Sequence, residues 1–273
     1  MIRYFVLLIF IFIASLHAET TKLILNQENR FEMPRNFRVA SSWGLKASAS
    51  GQFSENGLQL LLRAIPASNI IIVDLREESH GFINGTAVSW RGEKNWTNRG
   101  KSSEEISADQ EQKLFLLQQE GLACVHLKDD PDWEQVIMIN SVATEENTVA
   151  KTDARYFHLP TTDYLHPSDA VVDRFLDFVR ALPEGTWLHF HCAAGKGRST
   201  TFLAMYDMWH NAHNSSLRTI FERQKEIGGS DFYGPVDPTL WKYPYTLAKR
   251  DFLSRFYIYC RTDRSQPWSE HNK

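Results

Sequence analysis

Three scarcities narrow the field before any motif is read. Cysteine is rare: Cys124, Cys192 and Cys260 are the only three in 273 residues. They build no disulfide framework; one Cys124–Cys260 pair is an option, two buried free thiols the other. An excess of one charge is missing too. Lys and Arg number 30 against 33 Asp and Glu, a formal net charge of −3. The whole molecule therefore does not steer nucleic acid or another polyanion, and any attraction for one must be local to a cleft.

Long hydrophobic runs are missing after the first residues. Phe5–Ala14 is apolar, with Arg3 ahead of it and Ser15-Leu16-His17-Ala18 behind. The run is short for a bilayer span and reads as the core of a signal peptide, Met1–Ala18. The mature chain is then secreted or periplasmic and holds no membrane anchor. Leu16 is not the small residue preferred near a cut, so the cleavage position stays open. Repeats and low-complexity segments are absent. The length suits one sizeable domain, with residues 19–33 as an N-terminal arm and 34–273 as the folded part.

What the chain does have is Trp187-Leu188-His189-Phe190-His191-Cys192-Ala193-Ala194-Gly195-Lys196-Gly197-Arg198-Ser199-Thr200. An apolar run ends in a cysteine, five residues separate Cys192 from Arg198, and an apolar helical pattern follows. Strand, tight loop, helix makes an anion site. Gly195 and Gly197 let successive N–H groups face one oxyanion, and the helix start aims its positive end there. Arg198 adds a planar fork for two phosphate oxygens. Thiolates are favoured at helix N-termini and beside arginine, so Cys192 reads as a nucleophile towards phosphorus. Ser199 is placed to hydrogen-bond it.

Three other readings compete. Gly195-Lys196 begins like a nucleotide-binding loop, but Gly197 and Arg198 stand where Ser or Thr is needed. His189, His191 and Cys192 are metal-ligand types, without a second Cys/His cluster to complete a site. Cys192 as an inert core cysteine leaves Gly195-Lys196-Gly197-Arg198 unexplained.

The stretch resembles the signature of the cysteine-dependent protein-tyrosine-phosphatase superfamily: His-Cys, five residues, Arg, then Ser or Thr. Further segments are similar to one subgroup, the bacterial phosphatase-like inositol polyphosphate phosphatases or cysteine phytases. These are Asp74 through Gly81, Trp96 with Gly100-Lys101-Ser102, Tyr156-Phe157 through Thr162-Asp163, and Arg223 through Gly229. The resemblance implies an α/β fold, a central sheet with helices on both faces and a small partial β-barrel insert, here at roughly 80–150. It implies hydrolysis of inositol polyphosphates such as phytate through a phosphocysteine. No metal or cofactor is implied, because Arg198 and backbone amides supply the charge stabilisation. A protein tyrosine or dual-specificity phosphatase is the second reading. A phosphate-binding module with a dead site is the third, and intact Cys192, Arg198 and Asp163 argue against it.

The resemblance also assigns residues. Asp163 becomes the acid that protonates the leaving oxygen and then the base for water; by residue type alone it reads as a turn or cap. Ala193, Ala194, Gly195, Lys196 and Gly197 hold the phosphate, and His191 braces the loop. Tyr164 stands where the family usually has His, and Asn95 where it often has Asp. Lys128, Lys242 and Lys249 match basic positions for the other phosphates. Arg38 fits an arginine that reaches the site, though a solvated surface arginine is the plainer reading.

The pass along the chain places a helix at Ser54–Ala64 and a buried strand at Asn69–Leu75, with Asp74 and Arg76 as an ion pair or functional groups. Gly81–Lys101 reads as loop, Ser107–Glu120 as helix, and Leu122–Leu127 and Val136–Val142 as strands. Tyr156–Leu159 is a strand, and Ser168–Leu182, Ser216–Gly228 and Thr246–Arg261 are helices. Strands alternating with helices indicate the same α/β class.

Overall fold

Ile70–Arg76 forms β4, and every residue of it is buried. A β-branched run does this when both its edges are paired and both its faces are covered. The edges are taken by parallel strands β10 (Arg155–Thr161) and β11 (Trp187–His191). β3 (Ala47–Ser50) pairs with β11, and β2 (Arg38–Val39) closes the order β10-β4-β11-β3-β2. The computed structural model describes residues 21–26, 31–130, 132–262 and 264–271; the expected signal peptide lies outside them.

The period-2 alternation of β4 divides the core. Ile71, Val73 and Leu75 face α4 (Asp169–Arg180), α5 (Gly197–Asn211), α6 (Leu217–Glu226) and α7 (Tyr243–Arg261). Ile70 and Ile72 face α1 (Glu55–Ala64) and α3 (Glu145–Val149). Helices therefore cover both faces, as expected. α1 and α4 start at the side-chain caps Ser54 and Ser168, which satisfy N–H groups that a helix start leaves unpaired.

A second sheet holds the corrections. Gly81–Lys101 is not a loop: it contains β5 (His80–Ile83) and β6 (Thr86–Arg91), an antiparallel hairpin. Its turn is Asn84-Gly85, both at positive φ (51° and 78°), the pair that a two-residue hairpin turn demands. The N-terminal arm contributes a strand as well. Lys22–Leu25 is β1, antiparallel to β6 and parallel to β7 (Leu122–Leu127). α2 spans Ser103–Glu120, four residues longer at its start than expected, because Ser102 and Glu105 form a reciprocal capping box. The Val136–Val142 strand is two: β8 (Glu134–Met138) and β9 (Val142–Ala143), which pair with β7 and β5. The order β8-β7-β1-β6-β5-β9 is that of an open sheet.

Cys124 and Cys260 are free, and only Cys260 is buried. Along β7, Ala123 and Val125 face the core while Leu122 and Cys124 face out, because side chains of a strand alternate between its faces.

Candidate active site

The loop between β11 and α5 is built with its carbonyls outward. Gln52 N donates to Ala193 O at 3.2 Å, Asn36 Nδ2 to Ala194 O at 2.8 Å, and Arg38 Nη1 to Gly195 O at 2.6 Å. Ser230 Oγ donates to Lys196 O at 3.1 Å and Thr201 Oγ1 to Gly197 O at 3.0 Å. In a planar peptide the C=O and the following N–H point opposite ways, so the N–H groups are left for the concave side. Gly195 makes the bend at φ +71°, and a Cβ there would stand 2.3 Å from Gly51 N. It sits under the cradle rather than in its lining.

Cys192 and Arg198 face each other across this cradle. Ser199 Oγ lies 3.7 Å from Cys192 Sγ. Arg38 Nη2 donates to that same Oγ at 3.3 Å, which leaves the Ser199 O–H free to donate to the sulfur. Arg198 is gripped from behind: Glu78 accepts from Nη1 at 2.6 Å and from Nη2 at 3.0 Å. Burial would raise the Glu78 carboxyl, but Arg198 and Arg76 hold it far below the usual carboxylate range. Among the described residues, Arg198 Nε is buried and has no hydrogen-bond partner. A buried donor without a partner is costly, and an anion in the cradle would satisfy it.

Asp163 follows β10 and leans over Arg198, with Oδ2 3.4 Å from Nη2. Asn95 Nδ2 donates to Oδ2 at 3.3 Å, and the Tyr164 N–H donates to Oδ1 at 3.0 Å. Trp96 Nε1 donates to the Asp163 carbonyl at 2.9 Å, and Trp96 packs edge-on against Trp241 and Tyr245. Tyr164 takes a left-handed backbone at φ 67°, a conformation few non-glycine residues adopt. It packs against Trp241 at 4.8 Å. The Asp163 carboxylate is thus held by Asn95, Arg198 and a backbone N–H, while Trp96 fixes its main chain.

The cleft above the loop has a volume of about 230 Å³. Lys128, Lys196, Lys242, Lys249, Tyr164 and Asn95 line it with Cys192, Ala193, Ala194, Gly197, Arg198 and Asp163. Desolvation lowers Lys249 to about 8. Arg38 is the exception. It lies 5% exposed beneath the loop, where burial pulls its pKa down to about 10. Arg35, not expected there, lines the cleft together with Arg76 and Arg91. Asn36, between the two arginines, has φ 56°; this reversal of direction was not readable from composition. Arg91 ends β6, within the Gly81–Lys101 stretch that reads as loop in the sequence. Eight basic residues and one carboxylate line the cleft, a local field the net charge conceals.

Behind the loop, His191 Nε2 lies 2.6 Å from Glu145 Oε1 and 3.6 Å from Asp74 Oδ1. Asp74 pairs not with Arg76 but with His80, 3.0 Å away. Asp74, His80 and Glu145 have the mutual spacing of metal ligands. His80 Nδ1 donates to Glu78 O at 2.9 Å, and Nε2 stands at ion-pair distance, 3.0 Å, from Asp74 Oδ2. Burial would lower it, but Asp74 overrides this and His80 rises to about 9. A proton on His80 sets a positive charge against the two carboxylates.

The comparisons agree with this geometry. The PTP-like phytase family model, described as inositol hexakisphosphate, matches residues 73–210. A PTP-like phytase from Bdellovibrio bacteriovorus is 33% identical, with a TM-score of 0.81 over 92% of this chain and 94% of that one. A PTP-like myo-inositol phosphatase from Mitsuokella multacida, solved with myo-inositol-(1,3,4,5)-tetrakisphosphate, is 32% identical, with a TM-score of 0.85 over 92% of this chain and 48% of that one. The effector protein hopD2 of Pseudomonas syringae pv. tomato is 30% identical over 213 residues, 74% of this chain and 45% of that protein. The chain thus spans about half the length of the Mitsuokella and Pseudomonas relatives. The matched stretch contains the Cys192–Arg198 loop and Asp163, and the chain belongs to the protein-tyrosine-phosphatase-like phytase family.

Proposed function

We propose that this chain hydrolyses phosphate monoesters of inositol polyphosphates through a phosphocysteine. The observation that carries the reading is the set of eight basic residues lining one cleft around Cys192. A single phosphotyrosine needs one anion site and an aromatic slot; several phosphates on one ring need several cations, each desolvated and paired. The Mitsuokella relative's inositol tetrakisphosphate is a ligand of this kind.

In the first step the Cys192 thiolate attacks phosphorus and the P–O ester bond breaks. Asp163 gives its proton to the leaving alkoxide. Arg198 and the loop amides hold the three phosphoryl oxygens throughout. In the second step water attacks the phosphocysteine while Asp163 takes a proton from it. The P–S bond breaks, phosphate leaves, and Ser199 donates a hydrogen bond to the returning thiolate. Tyr164 and Asn95 border the substrate from the Asp163 side. Export is supported by the Met1–Ala18 pattern and by the Pseudomonas relative's description as an effector.

The test is phosphate release from inositol hexakisphosphate beside a phosphotyrosyl peptide, with chelator present, for wild type and Cys192→Ser. Activity on the inositol phosphate that vanishes in Cys192→Ser while binding persists is the expected result. A preference for the peptide would establish the tyrosine-phosphatase reading instead. Turnover surviving in Cys192→Ser would end the covalent mechanism.

A further inference from the structure

The outward face of the β7–β8 hairpin carries three side chains that the phosphatase chemistry does not use. Cys124 and His126 are two apart on β7, so both point the same way. Glu134 on β8 stands opposite His126 in the antiparallel register. Cys124 Sγ is 4.0 Å from His126 Nε2 and 3.9 Å from Glu134 Oε2. All three ligand-type atoms lie within 4.8 Å of one another.

We propose that Cys124, His126 and Glu134 bind a borderline-soft divalent cation, Zn²⁺ by preference. Metal–sulfur and metal–nitrogen bonds of tetrahedral zinc put neighbouring ligand atoms about 3.5 Å apart. The two sulfur separations exceed that by about half an ångström, and His126 and Glu134 lie within 4.8 Å of each other, a spacing that binding would tighten. A thiolate, an imidazole and a carboxylate select zinc over calcium or magnesium, which take oxygen ligands. His126 presents Nε2 to Cys124 Sγ, the ring nitrogen that would meet the metal, and Nδ1 then carries the proton. On binding, the Cys124 S–H proton goes to solvent. Three protein ligands leave a fourth position for water. β8 is an edge strand, and the metal would cross-link it to β7, two residues before Lys128 enters the cleft.

Cobalt(II) is the probe, because a thiolate ligand gives it a near-ultraviolet charge-transfer band. The full-length protein is used in a Cys192→Ser background, so that the nucleophile cannot be the thiolate seen. The expected band saturates at one metal per chain and is displaced by Zn²⁺. It disappears in Cys124→Ser, and the affinity falls by about tenfold or more in His126→Gln and in Glu134→Gln. Zn²⁺ also raises the thermal midpoint of the parent protein but not of Cys124→Ser, since a ligand that binds the native state alone stabilises it. No band in the parent protein, a band that survives Cys124→Ser, or one whose affinity ignores both His126→Gln and Glu134→Gln would overturn the assignment.

Discussion

Glu78 holds Arg198 by both ends of its guanidinium, at 2.6 and 3.0 Å, with neither side chain more than 1% exposed. The same carboxylate takes Arg76 Nε at 2.8 Å. One buried anion thus sets the orientation of the guanidinium in the cleft.

Glu78→Gln keeps the shape and removes the charge, leaving two buried arginines underpaired. Breaking a buried pair costs about 3–5 kcal/mol, so the thermal midpoint should fall sharply. Turnover should fall with it, in kcat more than in KM, because Arg198 is no longer aimed. A variant that loses stability but keeps wild-type kcat would show that the loop alone aims Arg198.

Asp163→Asn removes the acid without changing its size. General acid catalysis is worth roughly 10²–10⁴ in rate. The loss should approach that range on an inositol phosphate and be much smaller on an aryl phosphate whose leaving group needs little protonation. Equal losses in kcat on the two substrates would remove Asp163 from the role.

Lys128 and Lys242 line the cleft, while Lys249 Nζ stands 4.0 Å from where a Cβ on Gly197 would be. Replacing Lys128 and Lys242 together by Met should raise KM for inositol hexakisphosphate by about tenfold or more and spare a small aryl phosphate. Lys249→Met should harm both. Lys249 discharges as pH rises through about 8, so affinity for the polyanion should weaken above that pH, and added salt should weaken it at any pH. Steady-state kinetics on the two substrates decide; identical effects of all three lysines would contradict this division.

Stability should fall in mildly alkaline solution. His80 is raised from an ordinary 6.5 to about 9. Its contribution is complete below 6.5 and is lost as pH climbs through 9, because the folded state then gives up a proton that the unfolded state has already released. The thermal midpoint of wild type should drop across that window by the equivalent of a few kcal/mol, and His80→Gln should flatten the drop. A wild-type midpoint constant across it would mean that His80 stays neutral.

The nucleophile loop was legible because all its parts are consecutive: strand, cysteine, glycines, arginine and helix need no knowledge of distant residues. β4 and the amphipathic helices α1 and α4 were legible for the same local reason. The Asn84-Gly85 turn was a readable signal too, masked by a stretch rich in glycine, asparagine and tryptophan. Other features depend on remote segments. Asp74, His80, Glu145 and His191 come from four elements and meet only after the sheet forms. Arg35 and Arg38 differ in environment because Asn36 reverses the backbone between them, and no property of either arginine announces it. β1 is four residues long, too few for its pattern to stand out.

That short strand carries a burden of timing. Asn26, next to β1, bonds to Ser89, 63 positions further along, and β7, on the other side of β1, is later still. A chain made from its N-terminal end therefore exposes Leu23-Ile24-Leu25 long before either partner exists. Closing so large a loop has an entropic cost that only the finished sheet offsets. Until then the segment is an unpaired apolar strand, the kind of edge on which nascent chains aggregate or chaperones settle. Ile24, Leu25 and Asn26 also form part of the cleft wall, so the cleft is complete only once this strand has found its place between two later ones.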